Sequence, residues 1–208
     1  VLRGGRWMYG PQRCRSGTRN SHVPDVAKNE IGFRLALPGA DELPVLHLAF
    51  NEGTGTTAGD SSPSGTDGTI IGGGTWDVGV YGGALMLDGI DDYVTLGSTT
   101  ALNLGTSPFT FSCFVKTTSA ADGNILMKLT DANEGFVFKL RNWVALAASS
   151  GGPPNESYVY GNGSVSDGLW HHIAGVRESN GTLRLYIDGV QDAVTNFPMR
   201  DASVSKVP

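Results

Sequence analysis

The residues best suited to chemistry in this chain are oxygen donors. Asp88-Gly-Ile-Asp-Asp92 gathers three carboxylates around a glycine, hard ligands of the kind Ca²⁺ takes. Asn51 and Glu52, with Asp60 further along, form a second oxygen-rich set. Neither spacing matches an EF-hand loop. The 88–92 tract also reads more simply, as a turn whose aspartate side chains bond nearby amides.

Catalytic carboxylates are harder to find. A glycosidase needs two carboxyl groups held roughly 5–10 Å apart, and β-sandwich hydrolases set them on one strand as Glu-x-Asp-x-Glu. No Glu-x-Asp occurs here, and Glu52, Glu134, Glu156 and Glu178 each stand alone in turn-like sequence. A Gly-x-Ser-x-Gly nucleophile tract is absent as well. His171-His172 invites a metal reading, but adjacent strand residues point to opposite faces. The two rings are therefore expected to pack separately.

Aromatic side chains offer a third chemistry, since a ring face stacks on the C–H face of a sugar. Trp76, Tyr81, Trp143, Tyr158 and Tyr160 fall in or near turns, whereas Phe111 and Trp170 read as core. Trp143, Tyr158 and Tyr160, beside the Gly/Pro-rich stretch 149–155, are the candidate ligand contacts. Ordinary anchoring of a loop is the competing role.

The elements that must position these groups are strands. Leu183, Leu185 and Ile187 alternate with Arg184, Tyr186 and Asp188, the period of two of a strand with one wet face. Glu178-Ser-Asn-Gly-Thr182 joins this run to 170–177, and Asn180-Gly181 is expected to supply the positive φ angles of a tight hairpin. Further strands are expected at 45–50, 68–71, 84–88, 93–96, 109–116, 123–128, 135–140 and 143–147. Gly is 30 of 208 residues, charged residues are 17%, and no long helical period appears. Two packed antiparallel sheets account for this pattern.

A net charge of −5 argues against a general nucleic-acid surface. No apolar run approaches the roughly eighteen residues of a membrane span. The two cysteines, Cys14 and Cys113, make neither a disulfide framework nor a metal spacing. Composition shifts near Pro38, and Pro38-Gly-Ala-Asp-Glu-Leu-Pro44 reads as a linker over 38–44.

The hairpin tracts Asp167-Gly-Leu-Trp-His-His-Ile-Ala-Gly-Val-Arg177 and Leu183-Arg-Leu-Tyr-Ile-Asp-Gly189 resemble the laminin-G-like jelly roll of the concanavalin A-like lectin/glucanase superfamily. Supporting tracts run in order from His47-Leu-Ala-Phe-Asn-Glu-Gly-Thr-Gly55 through Leu87-Asp-Gly-Ile-Asp-Asp-Tyr-Val94 to Phe109-Thr-Phe-Ser-Cys-Phe-Val115. The resemblance implies an all-β, two-sheet antiparallel jelly-roll sandwich over 45–208, lacking the last strand that members place beside their first. It also implies a non-catalytic module recognising carbohydrate, a cell-surface glycoconjugate or a protein, at an extracellular, periplasmic or cell-surface location. Structural Ca²⁺ is common near the first strand of such folds.

Residues 1–37 resemble instead the C-terminal end of the formylglycine-generating enzyme/sulfatase-modifying factor family, a variant C-type-lectin fold. The matching tracts are Arg3-Gly-Gly-Arg-Trp7, Cys14-Arg-Ser-Gly-Thr-Arg-Asn20 and Asn29-Glu-Ile-Gly-Phe-Arg34. About 37 residues cannot bury a core alone, so the remainder of that domain is expected upstream. Oxidising members carry a cysteine pair just after Gly-Gly-x-Trp; here Met8-Tyr-Gly-Pro-Gln-Arg13 has none. The jelly roll as an accessory module of such an enzyme, or as an adhesion or spacer module, are the alternative readings.

Overall fold

Alternation of apolar and polar residues, punctuated by glycine, produces a structure in which every regular element among the described residues is a strand. The computed structural model describes residues 2–3, 19–20, 43–129, 134–141, 143–150 and 156–195. The chain divides into two units, Val1–Leu43 and Pro44–Pro208. In the first, β1 (Leu2–Arg3) pairs antiparallel with β2 (Arg19–Asn20). The other residues of the three tracts in 1–37 lie outside the described residues.

The second unit starts with short strands: β3 (Thr57–Ala58), β4 (Gly68–Ile71), β5 (Thr75–Val78), β6 (Gly83–Met86) and β7 (Tyr93–Thr95). Longer ones follow: β8 (Phe109–Lys116), β9 (Gly123–Leu129), β10 (Glu134–Leu140) and β11 (Val144–Ser150). The last are β12 (Glu156–Tyr160), β13 (Trp170–Arg177), β14 (Leu183–Ile187) and β15 (Val190–Thr195). Two four-stranded antiparallel sheets form, in the orders β12-β11-β10-β9 and β15-β14-β13-β8. The short strands make β3-β4-β7 and β5-β6.

The two large sheets face each other across one core. Phe136, Phe138, Val144, Leu146 and Val159 from the first meet Phe109, Ile173, Leu183 and Leu185 from the second, with Phe111 packed against them. Each such side chain taken from water contributes about 1.5–3 kcal/mol. Phe111 lies 4.9 Å from Phe136 and 4.7 Å from Phe109 between ring centroids. Gly175 permits the close approach: a Cβ there would sit 3.1 Å from Phe138 and 3.2 Å from Leu146.

Arg177 is buried within this apolar set. Its Nε donates to the Ser107 carbonyl at 3.1 Å, and its Nη2 to the Gly105 carbonyl at 2.6 Å. The guanidinium also lies over the Phe109 ring, 4.5 Å from its centroid. Charge-assisted bonds of this kind offset the cost of burial.

Two local expectations need correction. Residues 45–50 form no strand; they contribute one isolated bridge, Leu48 with Asp60. Their backbone is held by side chains instead, because His47 N donates to Asp60 Oδ1 and Ser64 Oγ to the Val45 carbonyl. Phe50, at φ 53°, then turns the chain out of extended geometry. In the β13–β14 hairpin only Gly181 has positive φ, at 88°. Asn180 keeps an ordinary φ and accepts the Thr182 amide on Oδ1 at 2.9 Å. Gly181 N donates to the Glu178 carbonyl and Glu178 N to the Thr182 carbonyl, a three-residue loop closed by a left-handed glycine.

Candidate functional site

Strands that bury one face must show the other, and the outer face of β9–β12 is concave and lined by small, aromatic and charged residues. Along β11 the inward residues are Val144, Leu146 and Ala148, leaving Ala145 and Ala147 outside. Registration then sets rows across the sheet. Ala145 lies between Tyr160 and Lys139, and Ala147 lies between Tyr158 and Val137. Gly135 and Leu129 extend the surface beyond.

The result is a trough of about 620 Å³. Its floor is glycine, alanine and valine; its wall is aromatic. Tyr158 and Tyr160 are 5.1 Å apart between centroids, and Trp143 meets Tyr160 edge-on, also at 5.1 Å. Tyr158 is 42% and Tyr160 53% exposed, so both rings keep surface available to a ligand. Lys139, Arg141 and Asp122 stand on the same lining. Arg141 is 3.4 Å from Asp122 and 6.0 Å from the centre of the Trp143 ring.

The three aromatics chosen from the sequence are therefore brought together in one concavity. Trp76 and Tyr81 are not part of it. Trp76 Nε1 donates to the Gly55 carbonyl, and Tyr81 stacks edge-on against Phe114. Lys139, Arg141 and the alanine floor escaped sequence reasoning. The signal was the small-residue alternation of Val144-Ala-Leu-Ala-Ala148, where every outward position is alanine.

The oxygen-donor sets separate. Asp88, Asp91 and Asp92 have carboxylate oxygens all within 4.8 Å of one another. The turn is present too: Ile90 N donates to Asp88 Oδ1 at 2.8 Å, and Asp88 N to Asp92 Oδ2 at 2.9 Å. Three exposed or half-exposed carboxylates with oxygens to spare fit a hard cation.

Asn51, Glu52 and Asp60 each serve a different backbone group. Asn51 Oδ1 accepts Gly83 N, and Glu52 Oε1 accepts Gly59 N. Asp60 receives the amides of His47, Ser62 and Thr66 and the hydroxyls of Ser62 and Ser64. Desolvation pushes its carboxyl upward, but the bonds from His47, Ser62 and Ser64 outweigh that and hold it well below the usual carboxylate range. Asp60 is a structural hub.

The two histidines part as strand geometry requires. His172 packs 5.0 Å from Phe114 between ring centroids. His171 bridges two carboxylates, with Nδ1 2.8 Å from Asp188 and Nε2 3.1 Å from Asp167. The Asp188 bond leads in raising the His171 pKa, burial opposes it, and Asp167 adds to the rise. Cys113 packs on the core, and desolvation pushes its thiol up to about 12, which leaves it unreactive.

Comparisons with known proteins agree with this architecture. Residues 88–206, more than half of the chain, match the family described as the concanavalin A-like lectin/glucanases superfamily. No curated protein matches the chain. Among solved structures, the binding domain of Paraclostridial Mosquitocidal Protein 1 superposes with a TM-score of 0.60 at 14% identity, covering 77% of this chain and 42% of that one. The binding domain of botulinum neurotoxin DC in complex with rat synaptotagmin II gives 0.52 at 14% identity, covering 73% and 39%. The same toxin's binding domain in complex with SialylT gives 0.50 at 13%, covering 74% and 43%. This chain thus spans less than half the length of those structures, and at such identity the likeness is one of fold. With its two facing sheets and the match over 88–206, the chain belongs to the concanavalin A-like lectin/glucanase superfamily.

Proposed function

We propose that the jelly roll is a non-catalytic carbohydrate-binding module of a multidomain protein that works outside the cytoplasm. The observation that carries this is the trough itself, where Trp143, Tyr158 and Tyr160 stand beside a floor of Gly135, Ala145 and Ala147. A flat apolar face with polar groups at its rim suits a pyranose ring. Among the described lining residues the one carboxylate is Asp122, engaged with Arg141, which favours binding over two-carboxylate hydrolysis. Binding domains that share this fold over about two-fifths of their length have been solved in complex with SialylT and with synaptotagmin II, so a surface protein is the second class of partner. A structural Ca²⁺ at Asp88, Asp91 and Asp92 belongs to this reading. So does a preceding sulfatase-modifying-factor-type domain, to which the jelly roll would be appended as a targeting module.

The test is a glycan array probed with the full chain, followed by titration of the strongest glycan. Trp143→Ala and Tyr160→Ala should each weaken binding roughly tenfold, the value of about 1–1.5 kcal/mol of stacking. An array silent with folded protein, or binding untouched by both substitutions, would remove this reading.

A further inference from the structure

The trough is asymmetric in charge. At one end Arg141 is balanced by Asp122 at 3.4 Å and spread over Trp143. Lys139 has no such balance: among the described residues no carboxylate, carbonyl or ring pairs with its ammonium. It is half-buried, and its neighbours on the outer face are Ala145 on β11, Asn124 on β9 and Val137 two residues back. The charged side chains on the lining are Asp122, Lys139 and Arg141, and of these Lys139 alone has no ion-pair partner among the described residues. A ligand oxyanion placed on this row would give the ammonium a partner through a charge-assisted bond.

The spacing indicates what the ligand is. Tyr160, Ala145 and Lys139 lie in one row across β12, β11 and β10, so Tyr160 and Lys139 are two strand spacings apart, roughly 10 Å. That span fits a sugar ring stacked on Tyr160 with an exocyclic acid group directed at Lys139, and Ala145 between them leaves the room. The β9–β10 pairing shifts register between Phe138 and Lys139. Such a bulge bends and twists the sheet locally and re-aims a neighbouring side chain.

On these grounds, and resting on the carbohydrate reading above, we infer that the trough selects acidic sugars, an oxyanion-bearing pyranose whose carboxylate or sulfate pairs with Lys139 while its ring stacks on Tyr160. Tyr160 binds the ring and Lys139 supplies the selectivity.

The experiment uses an array of matched neutral, carboxylated and sulfated oligosaccharides with the full chain. The best acidic member and its neutral counterpart are then titrated against wild type, Lys139→Gln and Tyr160→Ala. Wild type should prefer the acidic member about tenfold or more, the value of a charge-assisted bond, and the preference should shrink with added salt. Lys139→Gln should bring the acidic-to-neutral affinity ratio close to one; Tyr160→Ala should weaken both members and keep that ratio. The carboxylated and sulfated arms show which oxyanion is taken. Equal binding of acidic and neutral members, or a preference that survives in Lys139→Gln, overturns this inference and leaves the carbohydrate reading intact. No binding to any member by protein with a native circular-dichroism spectrum overturns both.

Discussion

The imidazole of His171 meets the carboxylate of Asp188 at 2.8 Å, and through that bond the start of β13 is tied to the β14–β15 turn. Asp188 also accepts the His172 amide on Oδ1 and holds a φ of 51°, uncommon for a residue other than glycine. Asp167, on the far side of the ring, completes the bridge.

This bridge makes stability depend on pH. The His171 pKa is raised, so its contribution is fully present below the ordinary histidine value near 6.5 and is lost as pH rises through the folded value. Asp167 is lowered by the Leu169 amide first and His171 second. Asp188 is lowered by its bonds to His171 and His172 against an opposing desolvation. Those two contributions are present above the ordinary aspartate value near 3.8 and are lost as pH falls through the folded ones. The bridge is therefore strongest between about pH 4 and 6.5. His172, lowered by desolvation, titrates with the opposite sign, so the comparison must be with His171→Gln. Thermal melts should show wild type exceeding that variant by more at pH 5.5 than at pH 8. An equal margin at both would remove the bridge from the account.

Gly175 should tolerate little. A Cβ there would already press Phe138 and Leu146, and the two further methyls of valine enter a filled core. Gly175→Val is expected to cost about 1–3 kcal/mol, read as a lowered urea midpoint at unchanged m-value. A midpoint equal to wild type would mean that the sheets do not approach as closely as 3.1 Å implies.

Calcium is expected to stabilise the jelly roll through the 88–92 turn. Asp88 and Asp92 each give an oxygen to the turn's own amides, so Asp91→Asn is the variant that spares the turn. At tenfold excess over Kd a single site adds about 1.4 kcal/mol, a rise of roughly 3–6 °C in thermal midpoint for a domain of this size. Chelator should reverse the rise in wild type, and Asp91→Asn should lack it. Midpoints that match in calcium and in chelator would leave the cluster as a turn alone.

Much of the fold could be read from the sequence because its strands obey one rule, apolar in and polar out. Phe109–Lys116, Trp170–Arg177 and Leu183–Ile187 stand at the boundaries their alternation predicts. β12 breaks the rule. Glu156-Ser-Tyr-Val-Tyr160 turns Ser157 and Val159 inward, both buried, and leaves two tyrosines exposed, so it reads as a loop with aromatic anchors. The expected strand at 45–50 failed for another reason: Asp60 supplies by side chain what a paired strand would supply by backbone. No periodicity records that.

The trough was half legible. Aromatic type drew Trp143, Tyr158 and Tyr160 into the candidate set, whereas a single lysine on a strand carries no mark of its surroundings. Only the register, which seats Lys139 opposite Ala145, shows that it faces a dip.

That register also separates two kinds of sequence freedom along β11. Val144, Leu146 and Ala148 are held by the core, and a change at any of them is a change in foldedness. Ala145 and Ala147 line the trough, with Ala145, 3% exposed, wedged between Tyr160 and Lys139, and the half-buried Ala147 between Tyr158 and Val137. Alternate positions of one seven-residue strand thus answer to two different surroundings. A change at Ala147 therefore reshapes the outer surface of the sheet, whereas one at Val144, Leu146 or Ala148 reshapes its core.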